Sequence, residues 1–142
     1  MAGYSSTPLQ KKLGFKERLR VKFVNAPKDF QDYLGPLPEG VEVIKLLKRS
    51  NTKPLDIIVS FVTSERELAR DFAKLIEQLA TNGMIWIAWP KKSSGVATDL
   101  SFDRVQRTGL DVGLVDVKIC AVDDTWSGLK FVFRLKDRKT RS

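Results

Sequence analysis

Met84-Ile85-Trp86-Ile87-Ala88-Trp89-Pro90-Lys91-Lys92-Ser93-Ser94-Gly95 runs from unbroken apolar residues into a proline, two lysines and three small residues. An apolar run without polar alternation is what a strand covered on both faces carries. Its abrupt polar end delivers a loop to the edge of a sheet, where α/β folds bind their ligands.

Outward from this run, the same grammar repeats. Residues 55–62, Leu-Asp-Ile-Ile-Val-Ser-Phe-Val, form a second apolar, β-branched stretch. Next comes Ser64-Glu65-Arg66-Glu67, the spacing of a capping box, in which the serine hydroxyl and the glutamate carboxylate each satisfy a free N–H at a helix start. Leu68, Phe72, Leu75, Ile76 and Leu79 fall on one helical face, and Asn82-Gly83 reads as the stop. A strand, a helix and a strand in this order make one parallel unit.

The remaining chain extends the alternation. Thr7-Pro8-Leu9 reads as a helix start carrying Leu9 and Leu13, closed by Gly14. Residues 19–24 are a predicted strand. Asn25-Ala26-Pro27 then leads into a short helix through Phe30, Tyr33 and Leu34 that Gly35-Pro36 ends. Residues 41–44 read as a short strand, residues 50–54 as a loop, and residues 99–110 as a helix closed near Gly113. Finally residues 115–122 and 129–135 alternate polar and apolar around Asp123-Asp124-Thr125-Trp126-Ser127-Gly128, which predicts a hairpin. The expected fold is a three-layer, Rossmann-like α/β domain whose mainly parallel sheet ends in an antiparallel hairpin. Residues 1–135 read as one such domain, and residues 136–142 as a basic, solvated tail.

Composition bounds the chemistry. The chain has 142 residues, enough for one real core, and no apolar run long enough to span a bilayer. Residues 1–7 have no apolar signal core, so cytoplasmic residence is expected and no membrane role. There is no histidine and one cysteine, Cys120, in an apolar run. Ser-His-Asp and Cys-His catalysis are therefore excluded, as are Cys/His zinc sites. The formal charge of +8 belongs to the ends: residues 1–22 carry Lys11, Lys12, Lys16, Arg18, Arg20 and Lys22 against Glu17, and residues 134–142 carry five basic groups against Asp137. Such ends solubilise a chain or hold phosphate backbones without sequence preference.

Four loops meet at the carboxyl ends of the predicted strands and supply the candidate ligand-binding residues: Asn25 and Pro27; Thr63 and Ser64; Trp89, Lys91, Lys92, Ser93 and Ser94; and Asp123, Thr125 and Trp126. Lys91 and Lys92 either clamp an anion beside the amides of Ser93 to Gly95 or stand solvated. Asp123 and Asp124 either meet a divalent cation, act as an acid/base pair or cap backbone N–H groups. Trp126 either stacks on a ligand or covers the open edge of the core.

The element order resembles class I S-adenosylmethionine-dependent methyltransferases. That resemblance implies a glycine-rich loop after the first strand and an acidic residue at the end of the second. Here Asn25-Ala26-Pro27 stands in place of the glycines, and the second strand ends in Ile44-Lys45 with Glu42 too early, so the fold does not carry the activity with it. Tyr4-Ser5, Thr7-Pro8-Leu9, Lys12-Leu13-Gly14, Ala26-Pro27, Trp89-Pro90-Lys91-Lys92, Ser94-Gly95, Thr98-Asp99-Leu100, Gly113-Leu114-Val115-Asp116 and Asp123-Asp124-Thr125-Trp126-Ser127-Gly128-Leu129 also resemble a small bacterial domain-of-unknown-function family, numbered thirty fifty-two. This implies a bacterial single-domain protein and no reaction. Three functions follow as expectations: a non-catalytic module binding a small anionic ligand or a protein partner, a divergent methyltransferase-like enzyme, and nucleic-acid binding through the basic ends. No catalytic residue, metal or cofactor is assigned.

Overall fold

Leu55 to Phe61, buried on both faces, forms the middle of a six-stranded sheet. A computed structural model describes residues 8–45 and 53–141. The elements are α1 (Leu9–Leu13), β1 (Arg20–Val24), α2 (Phe30–Leu34), β2 (Glu42–Val43), β3 (Leu55–Phe61), α3 (Glu65–Ile76), β4 (Leu79–Pro90), a single 3₁₀ turn (Lys92–Ser94), α4 (Phe102–Asp111), β5 (Leu114–Ala121), β6 (Trp126–Phe133) and α5 (Leu135–Arg141). Strand order is β2-β1-β3-β4-β6-β5, with β6 alone antiparallel to its neighbours. The predicted three-layer, mainly parallel architecture with a terminal hairpin is therefore the fold.

Period-two alternation splits the core between the two faces. Ile57, Val59, Phe61, Trp86 and Ala88 pack with Leu13, Phe15, Phe30 and Leu34 on the α1/α2 side. Ile58, Val62, Ile85, Ile87 and Trp89 pack with Leu68, Phe72, Leu75 and Val105 on the α3/α4 side. Trp86, fully buried, donates its indole N–H to the Leu13 carbonyl at 3.0 Å, which ties α1 to the sheet and satisfies a donor that burial would otherwise strand. Gly14, at φ +91°, ends α1 as predicted, its N–H closing onto the last turn. Thr7 lies outside the described residues.

Several boundaries differ from the sequence expectations. The α3 helix ends at Ile76 and the chain is extended again from Leu79, so Asn82-Gly83 stops no helix but belongs to β4. Pairing jumps from Leu55–Leu79 to Ile57–Met84, so β4 carries a long bulge there. Gly83 permits it: an added Cβ would stand 3.0 Å from the Asp56 and Ala80 carbonyl oxygens. The α4 helix begins at Phe102 rather than Asp99, with Ser101 accepting from the Arg104 N–H. The β6 strand begins at Trp126, inside the expected loop, and Gly128 lets it pass close to its neighbours: an added Cβ would stand 3.0 Å from Val122 Cγ2 and 3.3 Å from Trp86 Cε3. Leu135–Arg141, most of it read from sequence as a basic, solvated tail, forms α5, and Arg138 donates to the Phe133 carbonyl.

Candidate functional site

The chain passes from β1 to β2 on one side and returns across β1 to β3, so strand order reverses between β1 and β3. Open α/β sheets bind ligands outside the carboxyl ends of the strands at that switch point. Here the place is filled. Phe30 from α2 is 2% exposed and meets Phe23 of β1 at 5.5 Å and Phe61 of β3 at 4.9 Å, both edge to face; Phe61, also 2% exposed, meets Trp126 at 5.1 Å. Asn25 takes the left-handed conformation, φ +56°, directly after β1, so an asparagine makes the turn that a glycine would otherwise make.

Other expected site residues hold the scaffold. The Glu67 carboxylate reaches one residue beyond the predicted capping box, accepting from the Thr63 N–H at 2.8 Å and the Thr63 hydroxyl at 2.9 Å, while Ser64 Oγ accepts from the Glu67 N–H. The Thr63 carbonyl accepts from the Thr98 hydroxyl at 2.6 Å, and Asp99 Oδ1 caps α3 by accepting from the Glu65 N–H at 2.9 Å. Arg104 pairs with Glu65 across the same corner. Asp123 Oδ1 accepts from both the Thr125 and Trp126 N–H groups at 2.8 Å, the capping role open to it from sequence. Trp126 covers the core edge against Phe61. Ser94 Oγ closes the 3₁₀ turn onto the Lys91 carbonyl at 2.6 Å, and Ser93 is exposed.

Two open spaces lie to the side, around Lys91. Its N–H is fixed by the Thr125 carbonyl at 2.8 Å. A cleft of about 430 Å³ on the α1/α2 side is bordered by Lys12, Tyr33, Lys91, Asp123 and Asp124. Burial, then Asp123 and Asp124, raise the Tyr33 hydroxyl above its ordinary pKa, so it remains protonated and able to donate. A second cleft of about 400 Å³, on the α4 side, is bordered by Trp89, Lys91, Lys92, Phe102, Asp103 and Ile119. The sequence-predicted Lys91, Lys92, Trp89 and Asp123 thus meet at open space, whereas Thr63, Ser64 and Trp126 are held in structural contacts. Lys12 and Tyr33 were missed. Tyr33 had been read only as an apolar helix position and Lys12 only as part of the basic N-terminus.

No protein-family model matches the chain, and no curated protein is similar to it in sequence. Solved structures are similar in fold. Methanococcus jannaschii fibrillarin, a pre-rRNA processing protein, has a TM-score of 0.61 at 12% identity, over 92% of this chain and 70% of that one. A Geobacter metallireducens precorrin-6y C5,15-methyltransferase has 0.58 at 9%, over 89% and 86%. An Aquifex aeolicus S-adenosylmethionine-dependent methyltransferase has 0.56 at 15%, over 87% and 86%. The chain therefore has the class I methyltransferase-like fold, and these likenesses show the fold alone.

The cofactor this fold implies, S-adenosylmethionine, does not fit the residues at the switch point. No glycine follows β1, where Asn25, Ala26 and a half-buried Pro27 stand. Glu42 of β2 is engaged by Arg20 at 3.5 Å and lies at the start of its strand, and Phe30 and Phe61 fill the volume between the strand ends.

Proposed function

We propose that this chain is a non-catalytic module on a methyltransferase-like scaffold, binding a small anionic ligand or a protein partner through the surface around Lys91. The observation that carries the reading is the aromatic packing of Phe23, Phe30, Phe61 and Trp126 at the switch point. An evolved cofactor crevice needs room and close backbone approach, and here side chains that contribute core stability stand instead. The displaced clefts supply recognition groups: Lys12 and Lys91 as cations, Tyr33 as a donor, and Trp89 and Phe102 as apolar wall. Of the strings that resemble the bacterial family named above, Trp89-Pro90-Lys91-Lys92 and Ser127 border this same surface.

The test is a thermal-shift and calorimetric screen with nucleotides, phosphorylated metabolites and S-adenosylmethionine, on the wild type and on Lys91→Ala/Lys92→Ala. Expected are hits that weaken in the double variant, and no S-adenosylmethionine heat at millimolar concentration. Saturable S-adenosylmethionine binding would replace this reading with the second one, a divergent methyltransferase, which the fold likeness supports. Hits unchanged in the double variant would remove the lysine-lined surface.

A further inference from the structure

Lys118 of β5 and Lys130 of β6 are directly opposed in the antiparallel ladder. Directly opposed residues share a face, and like charges so placed repel. The face is the α1 side: Lys118 Nζ donates to the Lys12 carbonyl at 3.4 Å, and Lys130 in turn pairs with Trp86, whose indole reaches Leu13. Lys12, half-buried at the end of α1, adds a third ammonium to this neighbourhood: its charge and that of Lys118 both act on the Cys120 thiol.

Among the described residues no carboxylate pairs with Lys118 or Lys130, although Lys12 shares the Tyr33 cleft with Asp123 and Asp124. Asp116, two residues from Lys118, faces the other way, because the β5 bulge between Asp116 and Lys118 turns it toward Gln106 of α4, which donates to it at 3.2 and 3.3 Å. Burial first, and then the Lys118 charge, lower Lys130 below the ordinary lysine pKa. Lys118 donates instead to the carbonyl end of a five-residue helix.

A cross-strand lysine pair backed by a third lysine lowers stability unless something negative occupies it, and a local rule broken without internal compensation marks a functional position. We propose that Lys12, Lys118 and Lys130 form a binding site for a multivalent oxyanion, two or more adjacent phosphoryl groups, as in pyrophosphate or a polyphosphate chain. The charge of such an anion matches three ammonium groups, and lysines, as mobile point charges, suit a freely rotating phosphate chain better than one planar carboxylate. The site is separate from the surface at Lys92 and Phe102, although Lys12 also borders the Tyr33 cleft.

Inorganic pyrophosphate and tripolyphosphate, titrated by calorimetry and by thermal melting against sodium chloride of matched ionic strength, test this. Wild type should melt higher in either phosphate than in chloride. Lys118→Ala/Lys130→Met should weaken both probes by more than tenfold, roughly the loss of at least one charge-assisted hydrogen bond. Arg66→Ala/Lys74→Ala, which removes two cations from α3 on the other side of the sheet, should bind as wild type. Without phosphate and at low salt, Lys130→Met should melt higher than wild type, because the repulsion is gone; Lys130→Gln serves if the methionine variant does not fold. Equal melting in phosphate and chloride overturns the proposal. So does unchanged affinity in the Lys118/Lys130 variant, or loss of affinity in the Lys91/Lys92 variant alone, which would place the anion at the end of β4.

Discussion

Phe30→Ala measures how firmly the switch point is closed. Phe30 is 2% exposed and makes edge-to-face contacts with Phe23 at 5.5 Å and Phe61 at 4.9 Å, so its removal leaves a void bounded by strands that cannot collapse without breaking the β1–β3 ladder. Phe→Ala in such a site costs about 3–5 kcal/mol. For a chain of about this size that lowers the melting temperature by roughly 10–17 °C. Phe30→Leu keeps most of the volume and loses the two ring contacts, a loss of about 1–2 kcal/mol. Tyr33→Ala, on the same short helix but 59% exposed, should change stability by less than about 0.5 kcal/mol. Urea unfolding followed by tryptophan fluorescence reads all three, since Trp126 lies against Phe61 and reports on this corner. A Phe30→Ala loss below about 1 kcal/mol, or one no larger than that of Tyr33→Ala, would mean that the crevice is not held shut by this ring, and the argument against a cofactor there would fail.

Gly109→Ala should destabilise, although alanine is the better helix former by about 1 kcal/mol: its Cβ would stand 2.0 Å from Phe131 Cε1, in a fully buried ring held by Phe72 at 5.3 Å, and overpacking of this kind costs about 1–3 kcal/mol. A urea midpoint above wild type would refute the close contact. Asp99→Ala removes the carboxylate that accepts from the Glu65 N–H and should cost about 1 kcal/mol by the same assay, with Asp99→Asn recovering part of it; a neutral result would show that Ser64 and Glu67 suffice to cap α3. Burial raises the Cys120 thiol above its ordinary pKa, outweighing Lys118 and Lys12, which lower it, so the thiolate fraction at pH 8 is reduced and alkylation by iodoacetamide should run slower than for free cysteine. Lys118→Ala should raise that pKa further and slow the reaction again, and a faster reaction would reverse the assigned sign.

What the sequence revealed depended on how local the determining contact is. The unbroken apolar runs of β3 and β4 gave parallel, doubly covered strands because burial on both faces leaves no room for polar alternation. Gly14 and Gly35 were legible as stops because each takes a positive φ in which a side chain is strained. Asn82-Gly83 was misread for a non-local reason: its glycine serves a close approach to the Asp56 carbonyl of the neighbouring strand, which no helix-stop pattern encodes. Gly128 misled in the same way, marking a tight crossing over Trp86 where the pattern of small polar residues indicated a loop. Asp99, placed in a helix by its position before an apolar run, caps a different helix, 34 residues away.

The site was legible only at its backbone frame. Strand ends place Lys91, Lys92, Trp89 and Asp123 at open space, and that follows from element order alone. The contents of the switch point do not, because the closing ring belongs to Phe30, which in sequence is one more apolar residue on a short helix. The lysine cluster is hidden more deeply still. Lys12, Lys118 and Lys130 lie more than a hundred residues apart at their extremes, and the charge census assigns Lys12 to a basic terminus and the other two to a balanced interior. The β5 bulge turns Asp116 away and sets Lys118 opposite Lys130, and so puts these two neighbouring opposite charges on different faces. A near-zero local charge sum along a chain therefore says little about the field on either face of its sheet: one residue of register decides which face each sign occupies.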